Sequence, residues 1–239
     1  NNYNIKIFLS ISGTTGLSDL KNDLKWTKKK FYLFDEPNYD KVVEKSKDIF
    51  KNHDKNLSLK EFPLIHKGFR HYHHKVYKFI LSYIVEFLNF LTTLKGKKSM
   101  KTDIFLSGHS LGSTTALVTG MNLSFIDLNI NIITFSQPRV GDFAFNKYLY
   151  TILYKNRNIK YIRFYAKGDP IIKTPKKVDK YGYQNLSEFI KKYKLEPLSN
   201  YIEHNTNNGF ENCIQVIKKN ISSITFMRFM HSTQIYEKY

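Results

Sequence analysis

Short apolar runs alternate with longer amphipathic segments along the second half of the chain. The runs DIFLS (residues 103–107), INIITFS (residues 130–136) and IKYIRFY (residues 159–165) each have the length and composition of a buried strand. The first is followed by STTALVTGMNL and the second by DFAFNKYLYTILY, both with helical spacing of apolar residues. Because strands that alternate with helices are typical of α/β proteins, this pattern predicts a parallel sheet.

The first half of the chain has a weaker pattern. The run IKIFLSIS (residues 5–12) predicts another buried strand, which the sequence GTTG ends. Residues 17–59 are polar and rich in lysine, and only short stretches of them have helical spacing. Residues 71–95 predict a helix that Gly96 ends.

The predicted helix at residues 71–95 is expected to be buried against the sheet. Its apolar positions form one helical stripe: Tyr72, Val76, Phe79, Tyr83, Phe87, Phe90 and Leu94. The segment also contains Glu86 and Asn89, and its apolar part is shorter than the roughly 20 residues that span a bilayer. We therefore expect a helix of the core rather than a membrane span.

Length and composition favour one globular domain over residues 1–239. The chain has 239 residues, of which 41% are hydrophobic, so it can bury a complete core. Its single cysteine, Cys213, excludes an internal disulfide, and nothing indicates a cellular compartment. Because the chain begins NNYN, without methionine or a signal-like apolar run, we expect that its N-terminus has been trimmed.

A formal net charge of +18 is the strongest compositional feature. Such a charge favours anionic lipid surfaces or polyanions as partners. The alternative interpretation is compositional, because chains from AT-rich genomes are rich in Lys, Asn, Ile and Tyr, as this one is. No nucleic-acid partner is expected, since the sequence has no zinc-finger spacing, helix-turn-helix signature or aromatic RNA-binding motif.

The sequence GHSLG places Ser110 between a predicted strand and a predicted helix. A serine hydroxyl becomes a useful nucleophile only when it stands clear of the backbone beside a base and an acid. A sharp strand-to-helix turn exposes the hydroxyl, and side chains at positions 108 and 112 would clash there, so both are glycine. The helix that begins near Leu111 directs free N–H groups to the same point, which favours a developing oxyanion.

The acid and the base are expected to follow Ser110 in the chain and to lie at the carboxyl edge of the sheet. Asp127 lies before a strand, at the opposite edge, and Asp142 is interpreted as a helix N-cap. Asp169 follows a strand closely and is the predicted acid. Of the two later histidines, His204 lies in a polar segment that predicts a solvated loop, whereas His231 lies among apolar residues that favour the burial a base needs.

The remaining histidines are not expected to form a metal site. A cluster of four, of which two share a helix face, lacks enough further ligands for one: His66, His71, His73 and His74. His109, inside the turn, is expected to pack rather than react. The sequence therefore predicts neither a metal nor an organic cofactor.

Seven blocks, in order, resemble the class 3 lipases, the fungal triacylglycerol lipase family of α/β hydrolases. They are IFLSISGTTGLSDLKNDL, IHKGFRHYHHKV, GHSLGSTTA, TFSQPRVGDFAF, GDPIIKTP, YGYQNLSEFI and MHSTQIY. The resemblance implies an α/β-hydrolase fold, with a mostly parallel central sheet and helices on both faces. It also implies Ser110 as nucleophile, Asp169 as acid, His231 as base, and Thr14 with the Leu111 N–H as oxyanion hole.

Three residues depart from the family pattern without removing a member of the predicted triad. Ser12 replaces the usual arginine before Gly13, Ser113 replaces a smaller residue after the turn, and Gln184 stands where histidine is frequent. A lid helix, which in the family follows the oxyanion turn, is expected at residues 17–26, although the segment is too long and lysine-rich to align.

These features predict a serine hydrolase that cleaves carboxylic esters of lipids through an acyl-serine intermediate. The expected partner is a lipid ester, with a membrane or lipid-droplet interface as the candidate place of action. Phospholipase A1 or short-chain esterase activity at the same site remains an alternative. A catalytically weak hydrolase fold that binds lipid or protein is another.

Overall fold

The computed structural model describes residues 3–13, 28–30, 63–95, 100–126, 128–175, 182–206, 215–217 and 219. Within these residues the strands are, in chain order, β1 (Tyr3–Ile11), β2 (Lys28–Lys30), β3 (Leu64–His66), β4 (Met100–His109), β5 (Asn129–Phe135), β6 (Ile159–Tyr165) and β7 (Tyr201–Asn205). The helices are α1 (Lys67–Lys95), α2 (Leu111–Leu123), α3 (Phe143–Lys155) and α4 (Leu186–Tyr193), with a short 3₁₀ helix at Ile171–Lys173.

Five strands form one sheet in the order β1-β4-β5-β6-β7, and every neighbouring pair is parallel. The predicted parallel sheet is therefore confirmed. Because all five strands run the same way, their carboxyl ends meet at one edge, which is where ligands bind in open α/β sheets. Strands β2 and β3 form a separate antiparallel ladder.

Two of the helices that follow strands begin with side-chain caps. Asp142 accepts a hydrogen bond from Phe145 N (2.9 Å) and is the N-cap of α3, as the sequence predicts. Asn185 caps α4 and forms a capping box with Glu188, whose carboxylate accepts from Asn185 N (3.1 Å). These caps set where α3 and α4 start.

The two faces of the sheet bury different sets of side chains. All four helices contribute to the larger cluster, which includes Ile104, Leu106 and Ile132 from the sheet. The opposite face carries Phe105, Ile162 and Phe164, against which the helical residues Val216 and Ile217 pack. Successive side chains of a strand point to opposite faces, so a single apolar run supplies both clusters.

Helix α1 buries a different stripe from the one that its aromatic residues predict. The buried positions are Phe69, His73, Tyr77, Ile80 and Ile84. Of the predicted core residues, Phe79, Tyr83 and Phe90 are instead 76%, 62% and 56% exposed. Three others are partly buried and pack against the core: Tyr72, Val76 and Phe87. Over residues 72–84 the two stripes have the same helical spacing and differ by one residue, so periodicity could not choose between them. Among the described residues, no helix has the length and hydropathy that crossing a membrane requires.

Candidate active site

Ser110 lies at the abrupt turn between β4 and α2, at the carboxyl edge of the sheet. Its backbone angles are φ 52° and ψ −120°, in a region that residues with a side chain rarely adopt. Its N–H donates to Phe135 O (3.0 Å), the last residue of the neighbouring β5. The residue is only 9% exposed, and no described residue forms a hydrogen bond to its hydroxyl.

Two glycines permit this turn, as the sequence predicts. A Cβ on Gly108 would overlap the backbone carbonyl of Gly112 and lie 2.7 Å from Ser113 N. A Cβ on Gly112 would overlap the carbonyl oxygen of Ile11, at the end of β1. These neighbours are backbone atoms that cannot rotate away, so only glycine fits at either position.

Ser113, one of the departures from the family pattern, is fully buried in the first turn of α2. Its N–H donates to Ser110 O (3.1 Å), and its hydroxyl donates to the same oxygen. The larger side chain therefore adds a hydrogen bond that holds the carbonyl of Ser110. Sequence reasoning treated this residue only as an oversized substitute.

The chain that leaves β1 passes directly beside the turn. A Cβ on Gly13 would lie 2.6 Å from His109 O and 3.6 Å from Leu111 N. Leu111 N belongs to the first turn of α2, where helix geometry provides no backbone acceptor. The hydroxyl of Tyr72 donates to Ser12 O (3.0 Å) and ties this segment to α1. Thr14, the other predicted oxyanion-hole residue, lies outside the described residues.

Asp169 follows β6 at the same edge of the sheet. Its N–H donates to Ala166 O (3.1 Å), and its Oδ1 accepts from Ile171 N (2.8 Å). No described residue forms a hydrogen bond to Oδ2. The side chain of His109 is exposed rather than packed, contrary to the expectation from the sequence. Partial desolvation nevertheless lowers the pKa of His109, and the negative charge of Asp169 opposes that shift, so the carboxylate lies within electrostatic reach of the serine turn.

The two candidate bases differ in what the structure shows of them. His204 lies within β7, next to Phe164 in the register, rather than in the solvated loop predicted from its polar neighbours. Its ring packs edge-on against Phe164 at 5.9 Å, and its buried Nε2 has no hydrogen-bond partner among the described residues. His231 lies outside the described residues, as do Asp127 and the predicted lid at residues 17–26.

The cluster of histidines around the start of α1 is divided between the core and the surface. His66 and His73 are buried, whereas His71 and His74 are exposed. The Nδ1 of His66 accepts from Gly68 N (3.1 Å), and burial lowers the pKa of His73 to about 3. In the part of the chain that the structure describes, no group of three or more potential ligands could hold a metal ion.

One residue of the site was not singled out from the sequence. Arg139, in the block QPRVG, is buried and binds the segment that follows Asp169. An arginine in a loop between a proline and a valine has no spacing signal of its own. Its hydrogen bonds join residues more than thirty positions apart, which only the folded chain reveals.

Comparison with known proteins gives one family and several solved structures. The family model for class 3 lipases matches residues 8–179. A search of curated proteins gives no match. A fungal lipase–inhibitor complex is 19% identical, with a TM-score of 0.48, over 74% of this chain and 53% of its own.

Two further solved structures are similar in the same way. For the Lip2 lipase of Yarrowia lipolytica the identity is 22%, the TM-score 0.46, and the coverage 75% of this chain and 54% of that one. The mono- and diacylglycerol lipase of Aspergillus oryzae is 17% identical, with a TM-score of 0.45, over 74% of this chain and 52% of its own. The chain thus spans about half the length of these solved structures.

Proposed function

Because the chain belongs to the class 3 lipase family, we propose that it is a serine hydrolase that cleaves the carboxylic esters of lipids. The observation that carries the proposal is the conformation of Ser110, in the left-handed region between a parallel strand and a helix. A strained residue at the carboxyl edge of a sheet is a candidate for chemistry, since a turn without function would relax.

In this proposal, Ser110 attacks the ester carbonyl and forms an acyl-serine. His231 accepts the serine proton and returns it to the departing alcohol, while Asp169 orients the imidazole and stabilises its charged form. The Leu111 N–H and Thr14 stabilise the oxyanion of each tetrahedral intermediate. Water then attacks the acyl-serine by the same route and releases the fatty acid.

The carboxylate of Asp169 is suited to the role of acid. One oxygen accepts a hydrogen bond from Ile171 N–H, which restrains the orientation of the carboxylate. The other has no described partner and is available to an imidazole. Its position at the edge that carries Ser110 supports the assignment, because acid, base and nucleophile must converge there.

The nucleophile is tested first with the variant Ser110→Ala. We expect ester hydrolysis to fall by about 10⁴-fold or more, because the residual rate comes only from binding and the oxyanion hole. Labelling by a fluorophosphonate should be lost at the same time, while circular dichroism shows an unchanged fold. Turnover near that of the wild type would reject the mechanism.

The base is tested with a matched pair of histidine variants. His231→Ala should abolish labelling of Ser110 by a fluorophosphonate, because the hydroxyl loses its proton acceptor. His204→Ala should leave labelling largely intact, since its ring packs on Phe164 in this assignment. The reverse pattern would reassign the base. Loss of labelling in both, together with a lowered melting temperature, would indicate damage to folding.

The lipid class is tested with a substrate panel on the purified protein. Triacylglycerols, a glycerophospholipid and short-chain esters separate lipase, phospholipase A1 and esterase activity by their relative kcat/KM values. The net charge of +18 favours action on anionic surfaces, so rates on anionic vesicles should exceed those on zwitterionic vesicles and fall with added salt. A protein that labels with no probe and cleaves none of the panel would be a binding module.

A further inference from the structure

Arg139 holds three consecutive carbonyl groups of the segment that follows Asp169. Its backbone N–H donates to Thr174 O (2.7 Å). Its Nη1 donates to Lys173 O (2.7 Å) and to Pro175 O (3.2 Å). The arginine is 8% exposed, so these bonds, of which the two from the guanidinium are charge-assisted, are shielded from competing water.

The other side of the guanidinium is held by Glu188 on α4. Arg139 Nη2 donates to Oε1 (2.7 Å) and Nε donates to Oε2 (3.2 Å), which makes the pair bidentate. The same carboxylate accepts from Asn185 N and so caps the helix. Arg139 is thereby fixed in orientation by a regular element, and it can transmit that order to the carbonyls it binds.

The segment between Asp169 and the arginine-bound carbonyls is itself cross-linked by hydrogen bonds. Ile171 N donates to Asp169 Oδ1, and Thr174 N donates to Ile171 O (2.9 Å). Lys173 N and the Thr174 hydroxyl both donate to Pro170 O, at 3.2 and 2.9 Å. A displacement of residues 173–175 would therefore be transmitted towards the carboxylate through this series of hydrogen bonds.

We propose that Arg139 is the positioning residue for Asp169. It acts by anchoring residues 173–175 to α4, which keeps the carboxylate in the orientation that the base requires. The proposal rests on the proposed function, in which Asp169 is the acid. Arg139 touches neither the substrate nor the reacting atoms, and its effect on catalysis passes entirely through the aspartate.

This arrangement has a kinetic consequence that a purely structural role lacks. A misplacement of about 1 Å in a catalytic constellation can reduce the rate by about 10²-fold. A carboxylate that moves away from the imidazole also stabilises the imidazolium less, which lowers the pKa of the base. Loss of Arg139 should thus lower kcat more than it changes KM and move the acid limb of the pH–rate profile to lower pH.

The experiment is a double-mutant cycle between Arg139→Gln and Asp169→Asn, with kcat/KM measured on a soluble p-nitrophenyl ester. In the wild type, Arg139→Gln should reduce kcat/KM by about 10- to 100-fold. In the Asp169→Asn background the same change should cost less than about threefold, because the group it positions has already lost its function. An equal cost in both backgrounds would overturn the proposal.

Arg163→Gln is the matched control. Arg163 is another buried arginine paired with a glutamate, Glu203, and it donates to Gln137 O (3.0 Å), but none of its hydrogen bonds reaches residues 169–175. Its substitution should lower the melting temperature, leave the acid limb in place and cost the same factor in both backgrounds. A shift of the acid limb in this variant, as large as that in Arg139→Gln, would overturn the proposal.

Three further results separate the possible failures. If Asp169→Asn alone is as active as the wild type, the assignment of the acid is wrong and this inference fails, while ester hydrolysis by both proteins leaves the proposed activity standing. If the wild type itself cleaves no ester, the proposed function fails. If Arg139→Gln does not fold, Arg139→Lys replaces it, since lysine keeps the charge beside Glu188 but cannot bind the carbonyls with a planar fork. That variant should show a smaller loss and the same dependence on Asp169. A loss that is independent of Asp169 would overturn the proposal.

Discussion

The Ser110 turn and the Asp169 loop lie at the same edge of the sheet but are held in place differently. At the turn, backbone atoms of β1, β4 and α2 approach so closely that no side chain fits at Gly108 or Gly112. At the loop, a Cβ on Gly168 would meet nothing within 4 Å, and the segment beyond it is held by hydrogen bonds from Arg139. Close packing thus positions Ser110, whereas hydrogen bonds from a residue distant in the sequence hold the segment that follows Asp169.

The difference teaches which parts of such a site tolerate change. A turn held by backbone contact has no alternative arrangement, so a single added methyl group must displace a strand. A loop held by hydrogen bonds in open space can shift and still leave the sheet intact. Substitutions of the two turn glycines should therefore destabilise the protein more than a substitution of Gly168 in the loop.

The largest effect is expected for Gly112→Ala. The new Cβ would overlap Ile11 O and lie 2.8 Å from the carbonyl of Ser12, so β1 or α2 must move. We expect the free energy of unfolding to fall by about 3 kcal/mol, as for overpacked cores, with loss of fluorophosphonate labelling. Urea denaturation measures the free energy of unfolding, and in-gel fluorescence measures the labelling. A stable, fully labelled variant would show that the packing argument for the turn is wrong.

An intermediate effect is expected for Gly168→Ala, the residue before Asp169. Its φ of 108° strains any residue that has a side chain, although the space around it is open. The cost should be about 1–2 kcal/mol of stability. The activity should fall by less than tenfold, because Arg139 still anchors the segment beyond. An activity loss equal to that of Gly112→Ala would erase the contrast between the two regions.

The smallest effect is expected for Ser136→Gly, at the end of β5. Ser136 has a φ of 47°, and its N–H donates to Phe164 O (3.0 Å). Glycine would relieve the backbone strain but would lose more entropy on folding, so stability should change by less than about 0.5 kcal/mol. Calorimetry measures the stability of the variant, and an esterase assay measures its activity. A loss of activity without loss of stability would make Ser136 a third functional residue of the edge.

The family and the α/β-hydrolase fold class could be predicted from the sequence, and both are confirmed. They were accessible because their signals are local. GHSLG requires a turn that only glycines allow, and Asp142 stands where a helix needs a cap. Such requirements act within a few residues and leave their mark on neighbouring positions.

Other features depend on contacts between distant parts of the chain, which local sequence patterns do not specify. The buried stripe of α1 and the aromatic stripe one residue away have equal periodicity, and only the packing partner selects between them. The polar neighbours of His204 predicted a loop, yet pairing with β6 makes it a strand residue. Arg139 gains its role from a loop and a helix far along the chain. The roles of Ser110, Asp169, His231, Thr14 and Leu111 remain predictions.

The pairing of β1 with β4 has a consequence for biosynthesis. Tyr3 lies opposite Met100 in the register, so the strand partner of β1 is made about a hundred residues later. At ribosomal rates of roughly 5–20 residues per second, β1 waits about 5–20 s for it. During that wait an apolar, β-prone segment lacks the strand it pairs with. Of the five strands that the structure describes in this sheet, β1 is thus the one that waits longest for a partner.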